Sequence, residues 1–392
     1  MSDCSLGGYE LRLRKSVDRP GAAGDHYGMR ICIGLLALVV ATACAPIAST
    51  PSSSPSPSTA IATPKATPRL LTFDTQHHYL DFTYSQGHLI FGGGPRDDVS
   101  SSPDLIDRDL ASGTERVLAT AADRAGSIIA PVAGGEWVVF VEIYQKGPLV
   151  YRIRAVAPGK DVVLATAEYE APTDQQQQRA RSIPQVATDG NLIAWTEVAG
   201  PRAGPKWTLK GFDTKTGLTS ELYTSDLVLS FPTITDGELI FGEGDEHPRL
   251  LALRPSRGLV ATAVTTEIDL AQGASYGGLV AAKKGGMNVL DPGGLVLIDR
   301  VKGTTTTIVA VGPRGVYGPT INDRYVVWHG GAIFDKIGAF DLETHEIVTI
   351  YAQTPAGRAA AYPGALIWLA LRPEDVASPG TATPQFHVML WP

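Results

Sequence analysis

The side chains able to do chemistry sit in short polar segments between apolar runs. Residues 242–248, GEGDEHP, crowd Glu243, Asp245, Glu246 and His247 closely enough to suggest a cation site or a general acid/base cluster. The segment lacks the spacing of a calcium loop and has a single histidine, so no metal is expected there and a solvated acidic turn is the competing reading. Asp97 and Asp98 form a second carboxylate pair. His77 and His78 stand where an apolar stretch begins and read as a strand start, and neither H-E-x-x-H nor Cys-x-x-Cys occurs. Residues 273–277, GASYG, have the G-x-S-x-G form of a nucleophile elbow, which requires a strand before it and a helix after it. The following GGLVAA is strand-like, so the match is a coincidence. No catalytic residue and no cofactor is expected.

These segments are held apart by a repeat. Residues 231–243, FPTITDGELIFGE, read as two strands joined by a tight Asp236-Gly237 turn, and near-copies recur at 184–197, 319–330, 130–142 and, more loosely, 85–93. Each copy is followed by a strand, a turn and a strand, as in 209–222 and 338–351. Seven copies, with second strands near Leu89, Val138, Ile193, Ile240, Val280, Val326 and Ile367, recur about every 46 residues, the length of a propeller blade. The expected fold is all-β, a seven-bladed β-propeller over 69–392, with six or eight blades as the alternatives. A strand aromatic lies five residues after the turn in Phe140, Trp195 and Trp328 but four after it in Phe91, Phe241 and Trp368. One residue would flip the ring to the other face, so turn length or a bulge must absorb the difference. The fifth copy, 275–284, has no aromatic. The seventh runs out of chain before its outermost strand, and residues 70–73 are predicted to pair with 386–391 and close the ring.

In an up-and-down blade the tight turns after strands one and three leave on one side, and the connections after strands two and four on the other. Function is expected on the second, the loop face, lined by Arg96, Asp97, Asp98, Arg202, Lys206, Asp245, Glu246, His247, Lys283, Lys284, His329, Asp335, Lys336 and Arg372 as exposed charges. The pattern of Pro, apolar residues, Asp-Gly, two apolar residues and an aromatic, then a strand ending in an Asp-x-x-(Thr/Ser)-Gly turn, resembles TolB-like propeller repeats. The resemblance covers 69–392, although the fuller Ser-Pro-Asp-Gly turn is nowhere intact. It implies a propeller that binds partners or ligands.

The start of the chain speaks to location. Residues 1–28 read as an extension ahead of a start at Met29. From there a basic residue, Arg30, precedes an apolar run too short to span a bilayer and the sequence Ala41-Thr42-Ala43-Cys44. Residues 29–43 read as a lipoprotein signal peptide whose end resembles a lipobox, with Cys44 as the lipid attachment site and a plain signal peptide as the alternative. Cys4, Cys32 and Cys44 are the three cysteines, so no thiol falls within 69–392. Residues 44–68 are rich in Ser, Thr, Pro and Ala and read as a flexible tether; in polyproline II form they reach roughly 75 Å. A net charge of −7 argues against nucleic acid as a partner.

Two functions compete. One is a monomeric propeller, anchored through its N-terminal lipid to the bacterial cell membrane or envelope, that binds a protein, peptide or glycan on its loop face or serves as a scaffold. The other is an exported hydrolase or lyase acting on polysaccharide or peptide through carboxylates such as Asp97 and Asp98 or Asp245 and Glu246.

Overall fold

Strand-forming runs separated by turn residues fold here into seven antiparallel sheets of four strands, arranged as blades in a ring. The computed structural model describes residues 68–391 apart from residue 76 and segments 96–100, 146–148, 170–183, 200–205, 245–246, 268, 287–291, 313–315, 331–335, 352–357 and 373–384. The first six blades occupy 77–120, 127–169, 186–225, 229–263, 270–312 and 316–351. Ala359–Tyr362, Ala365–Ala370 and Gln385–Leu390 make the inner three strands of the seventh. Its outermost strand is Arg69–Phe73, paired from Arg69 opposite Leu390 to Phe73 opposite Phe386. The ring is therefore closed by the N-terminal strand, as the unpartnered residues 70–73 required.

Stability comes from seven apolar clusters, each lying between two successive blades, including one between blades seven and one. The aromatic of every second strand explains this. Phe91, Phe140, Trp195, Phe241, Trp328 and Trp368 are each the fourth residue of their strand, and the fifth blade has Ala282 there. The offset seen in the sequence is absorbed by the turns. Blades one, two, four, five and seven have two-residue turns, in which Gly135 takes the first place and Gly87, Gly237 and Gly364 the second. Blades three and six have longer ones, so every ring keeps its face.

The innermost strands are irregular. Register slips in blades one, two, four, five and six, with extra residues at 80–81, 130–131, 231–232, 271 and 318–319. Ala130, Phe231 and Gly318 have positive φ, and Pro131, Pro232 and Pro319 follow them. These are bulges whose first residue is left-handed, and proline is tolerated because a bulge leaves its nitrogen outside the ladder. They fall near the start of each innermost strand, on the side where the connections after strands two and four emerge. That side is less uniform than expected: the connection at 226–228 is short, while 254–261 on the opposite side is long and holds the 3-10 turn Pro255–Arg257.

Candidate binding site at the channel mouth

With the bulges of five blades, register places one residue from each blade at one level of the ring: Asp81, Ala130, Gln185, Phe231, Gln272, Gly318 and Arg358. A bulge frees a backbone N–H, and neighbouring blades supply its acceptor. The Phe231 nitrogen donates to Gln185 Oε1 and the Gly318 nitrogen to Gln272 Oε1 at 3.0 Å. Between blades seven and one Arg358 Nη1 donates to Asp81 Oδ1, which also accepts from the Phe82 nitrogen at 2.9 Å. The contact runs each time from one blade to the next. Lower in the ring Thr233 and Thr235 donate to the Gly273 and Ser275 carbonyls, the Ala361 nitrogen donates to Thr320, and Asn322 Nδ2 donates to the Tyr362 and Ala365 carbonyls. The inner ring is clasped blade to blade by side chains as well as by apolar packing.

Aromatics complete the mouth. Phe231 and Tyr317, from blades four and six, meet edge to face with centroids 5.7 Å apart, reaching past the blade between them. Tyr362 lies against Phe82 and Tyr84 and donates its hydroxyl to the Phe82 carbonyl at 3.3 Å. Burial opposes the charge on Arg358, but Asp81 and the tyrosines Tyr362 and Tyr317 outweigh it and raise its pKa. The side chain nevertheless keeps 38% of its surface open, and Asp81 keeps 22%. His329 sits behind them, 6% exposed, with its Nε2 accepting the Ala359 nitrogen at 3.2 Å. Burial, helped by Arg358, pushes the imidazole down to about 4.

The residues singled out in the sequence do not converge in this way. Arg96, Asp97, Asp98, Arg202, Asp245, Glu246 and Asp335 lie outside the described residues. Lys206 and Lys336 begin third strands, and Lys206 is exposed. His247 pairs with Asp269 at 2.9 Å and Lys284 with Glu267 at 3.4 Å, while Arg372 pairs with Asp74. Lys283 and His329 are not exposed loop charges: both are the fifth residue of a second strand, turned toward the next blade and buried. Lys283 Nζ donates to the Gly286 carbonyl at 2.6 Å.

Glu243 belongs to a different set. It is the sixth residue of its second strand, as Glu142 and Glu197 are of theirs, and each meets a cation of the third strand: Arg249, Arg154 and Lys210. Burial would raise Glu243, yet hydrogen bonds from Ser225, Tyr223 and Arg249 hold it below the usual carboxylate range. Its oxygens are thus engaged by Arg249 of its own blade and by Tyr223 and Ser225 of blade three. Among the described residues no three His, Cys, Asp or Glu side chains converge to hold a metal. Residues 273–277 lie on the innermost strand Leu270–Tyr276 and its turn, with a strand following.

Sequence reasoning missed Asp81, Gln185, Phe231, Gln272, Tyr317 and Arg358. A usable signal was the recurring Pro131, Pro232 and Pro319, each following the left-handed first residue of an inner-strand bulge.

Solved structures similar to this one are propellers. An oligogalacturonate lyase in complex with manganese superposes with a TM-score of 0.53 at 11% identity, over 84% of this chain and 97% of that one. The β-propeller domain of the trilobed protease from Pyrococcus furiosus, described as having an open velcro topology, gives 0.52 at 13% identity over 75% and 91%. A prolyl endopeptidase gives 0.55 at 11% identity over 80% of this chain, which spans only 50% of that enzyme. No protein-family model and no curated protein matches the sequence. At such identities the likeness is one of fold, and the fold is a β-propeller.

Proposed function

We propose that this is an exported, membrane-tethered propeller of TolB-like type that binds a ligand at the loop-side mouth of its ring. The observation that carries the reading is the Arg358–Asp81 pair. It joins two blades at the level of the bulges, its partly open side chains lie near enough to Tyr317 for that phenol to bear on the charge of Arg358, Tyr317 in turn packs on Phe231, and the surrounding backbone is clasped. A fixed polar group flanked by aromatics is how a binding site orients a ligand at low entropic cost. The exported hydrolase or lyase reading is compatible with the fold shared with a lyase and peptidases. Its carboxylates Asp97, Asp98, Asp245 and Glu246 lie outside the described residues, so no geometry supports it over binding.

The tether rests on the signal-like run and Cys44. Expressed in a bacterium that processes lipoproteins, the protein is expected to enter the detergent phase, and Cys44→Ser is expected to shift it to the aqueous phase, because lipid at that residue is the anchor. Partition unchanged by the substitution would refute the tether. The mouth is tested by passing envelope extract over immobilised protein and over the Asp81→Asn, Arg358→Gln double variant, which keeps the pair uncharged. Equal retention of every component by both would refute binding at the mouth.

A further inference from the structure

We propose that the mouth takes a neutral, hydroxyl-rich ligand, the end of an oligosaccharide, with Asp81 and Arg358 holding adjacent hydroxyls and Phe231 and Tyr317 flanking the sugar ring. This rests on the binding function proposed above and names its ligand.

Charge decides first between an acidic and a neutral ligand. The guanidinium of Arg358 is already neutralised by Asp81, so an added carboxylate would face the repulsion of Asp81 or have to displace it. Neither Lys283 nor His329 offsets this. Lys283 is fully buried and bonded to the Gly286 carbonyl, and His329 is buried behind the pair and accepts the Ala359 nitrogen. A net-neutral pair of opposite charges suits a ligand that both donates and accepts, as a hydroxyl does.

The hydrogen-bond inventory agrees. Asp81 Oδ1 takes both described bonds of that carboxylate, from Phe82 and Arg358, so Oδ2 is available to accept. One of the five N–H groups of Arg358 is used in the described contacts, and the rest are available to donate. Two oxygens of a vicinal diol can therefore be held at once, one hydroxyl donating to Asp81 and its neighbour accepting from Arg358. At the same level Gln272 spends Oε1 on Gly318 while its buried Nε2 has no partner among the described residues, a donor that a ligand or water oxygen would satisfy.

The aromatic flank supplies the rest. Phe231 is a bulky residue held at φ 51°, a conformation that persists only where the surroundings impose it. They do so here: Pro232 follows it, Gln185 accepts its nitrogen, and Tyr317 packs against its ring. Phe231 and Tyr317 are both half-buried, and such rings offer an apolar face to the C–H side of a sugar while its hydroxyls meet the ion pair.

The test presents the full chain in detergent to arrayed neutral oligosaccharides, uronate-bearing oligosaccharides and peptides, then titrates the best soluble oligosaccharide by calorimetry. Neutral oligosaccharides should be retained, and Tyr317→Ala and Asp81→Asn should each weaken binding about tenfold or more, Asp81→Asn with a lowered melting temperature because Arg358 loses its partner. If Asp81→Asn impairs folding, Tyr317→Ala decides, with its own melting curve as the check that the ring stays folded. Retention of uronates or peptides alone, lost in Tyr317→Ala, would overturn the ligand class and leave the mouth standing as a binding site. Neutral binding untouched by both variants would overturn the site, and no retention on any spot would overturn the inference.

Discussion

His329 shows what burial does to a residue that looked like a surface charge. An unfolded imidazole titrates near 6.5, whereas in the ring, buried and near Arg358, it is pushed down to about 4. The unfolded chain thus binds the proton first. The stability His329 contributes is complete above pH 6.5 and is lost as pH falls toward 4, by about 3 kcal/mol at most. Against the opposing effect of burial, Glu238 is held low by Arg300 and Arg254 and Glu243 by Ser225, Tyr223 and Arg249, and their losses begin only below their ordinary range near 4.5. Between pH 6.5 and 4.5 the melting temperature should therefore fall, and the fall should shrink in His329→Gln, which keeps an acceptor for the Ala359 nitrogen without a titrating ring. His387, also lowered by burial, adds to the slope that remains. An identical slope in both proteins would show that His329 is not held neutral. The site was hardly legible in the sequence for a related reason: Asp81 and Arg358 are 277 residues apart, and only the closing of the ring brings them together. Charged residues in polar segments were visible, but Lys283 and His329 lie one residue beyond the fourth position of a second strand, Ala282 and Trp328, where strand alternation turns them into a blade interface.

Strands and turns were far more legible, because their chemistry is local. The Asp-Gly, Gln-Gly and Pro-Gly turns announced the hairpins, and a one-residue offset in the aromatic spacing had to be met by turn length, as it is at Gly135 and in the longer turns of blades three and six. What the pattern did not reveal is how closely second strands approach the next blade. At Gly242 a Cβ would collide with the Ala271 carbonyl oxygen, and at Gly92 with that of Ile128. Backbone cannot step aside as a flexible side chain can, so Gly242→Ala should cost about 2–3 kcal/mol by forcing blades four and five apart. Gly237→Ala in the turn meets nothing within 4 Å but retains φ 70°, and should cost about 1 kcal/mol. Urea midpoints of the two variants test the contrast. A smaller loss at Gly242 than at Gly237 would mean that the blades are not packed this tightly.

At the scale of the whole molecule, the stability of the ring depends on five residues at its N-terminal edge. Arg69–Phe73 pair along their length with Gln385–Leu390, Phe73 stacks on Phe386 at 5.6 Å, and the Arg108 guanidinium lies 4.1 Å from the Phe73 ring. Phe386 is fully buried in the cluster shared by blades seven and one, so this strand covers a cluster that no local sequence could fill. Because each blade packs only on its neighbours, an opening at this seam exposes two blades at once. Deleting residues 45–68 removes none of these contacts and should leave the melting temperature nearly unchanged. Extending the deletion through Phe73 removes a strand ladder, the burial of Leu71 and Phe73 and the cover over Phe386, and should cost about 3 kcal/mol or more while leaving an unpaired edge that promotes association. Thermal melts with light scattering measure both effects. Equal stability of the two deletions, with no added scattering, would mean that the ring holds without its closing strand.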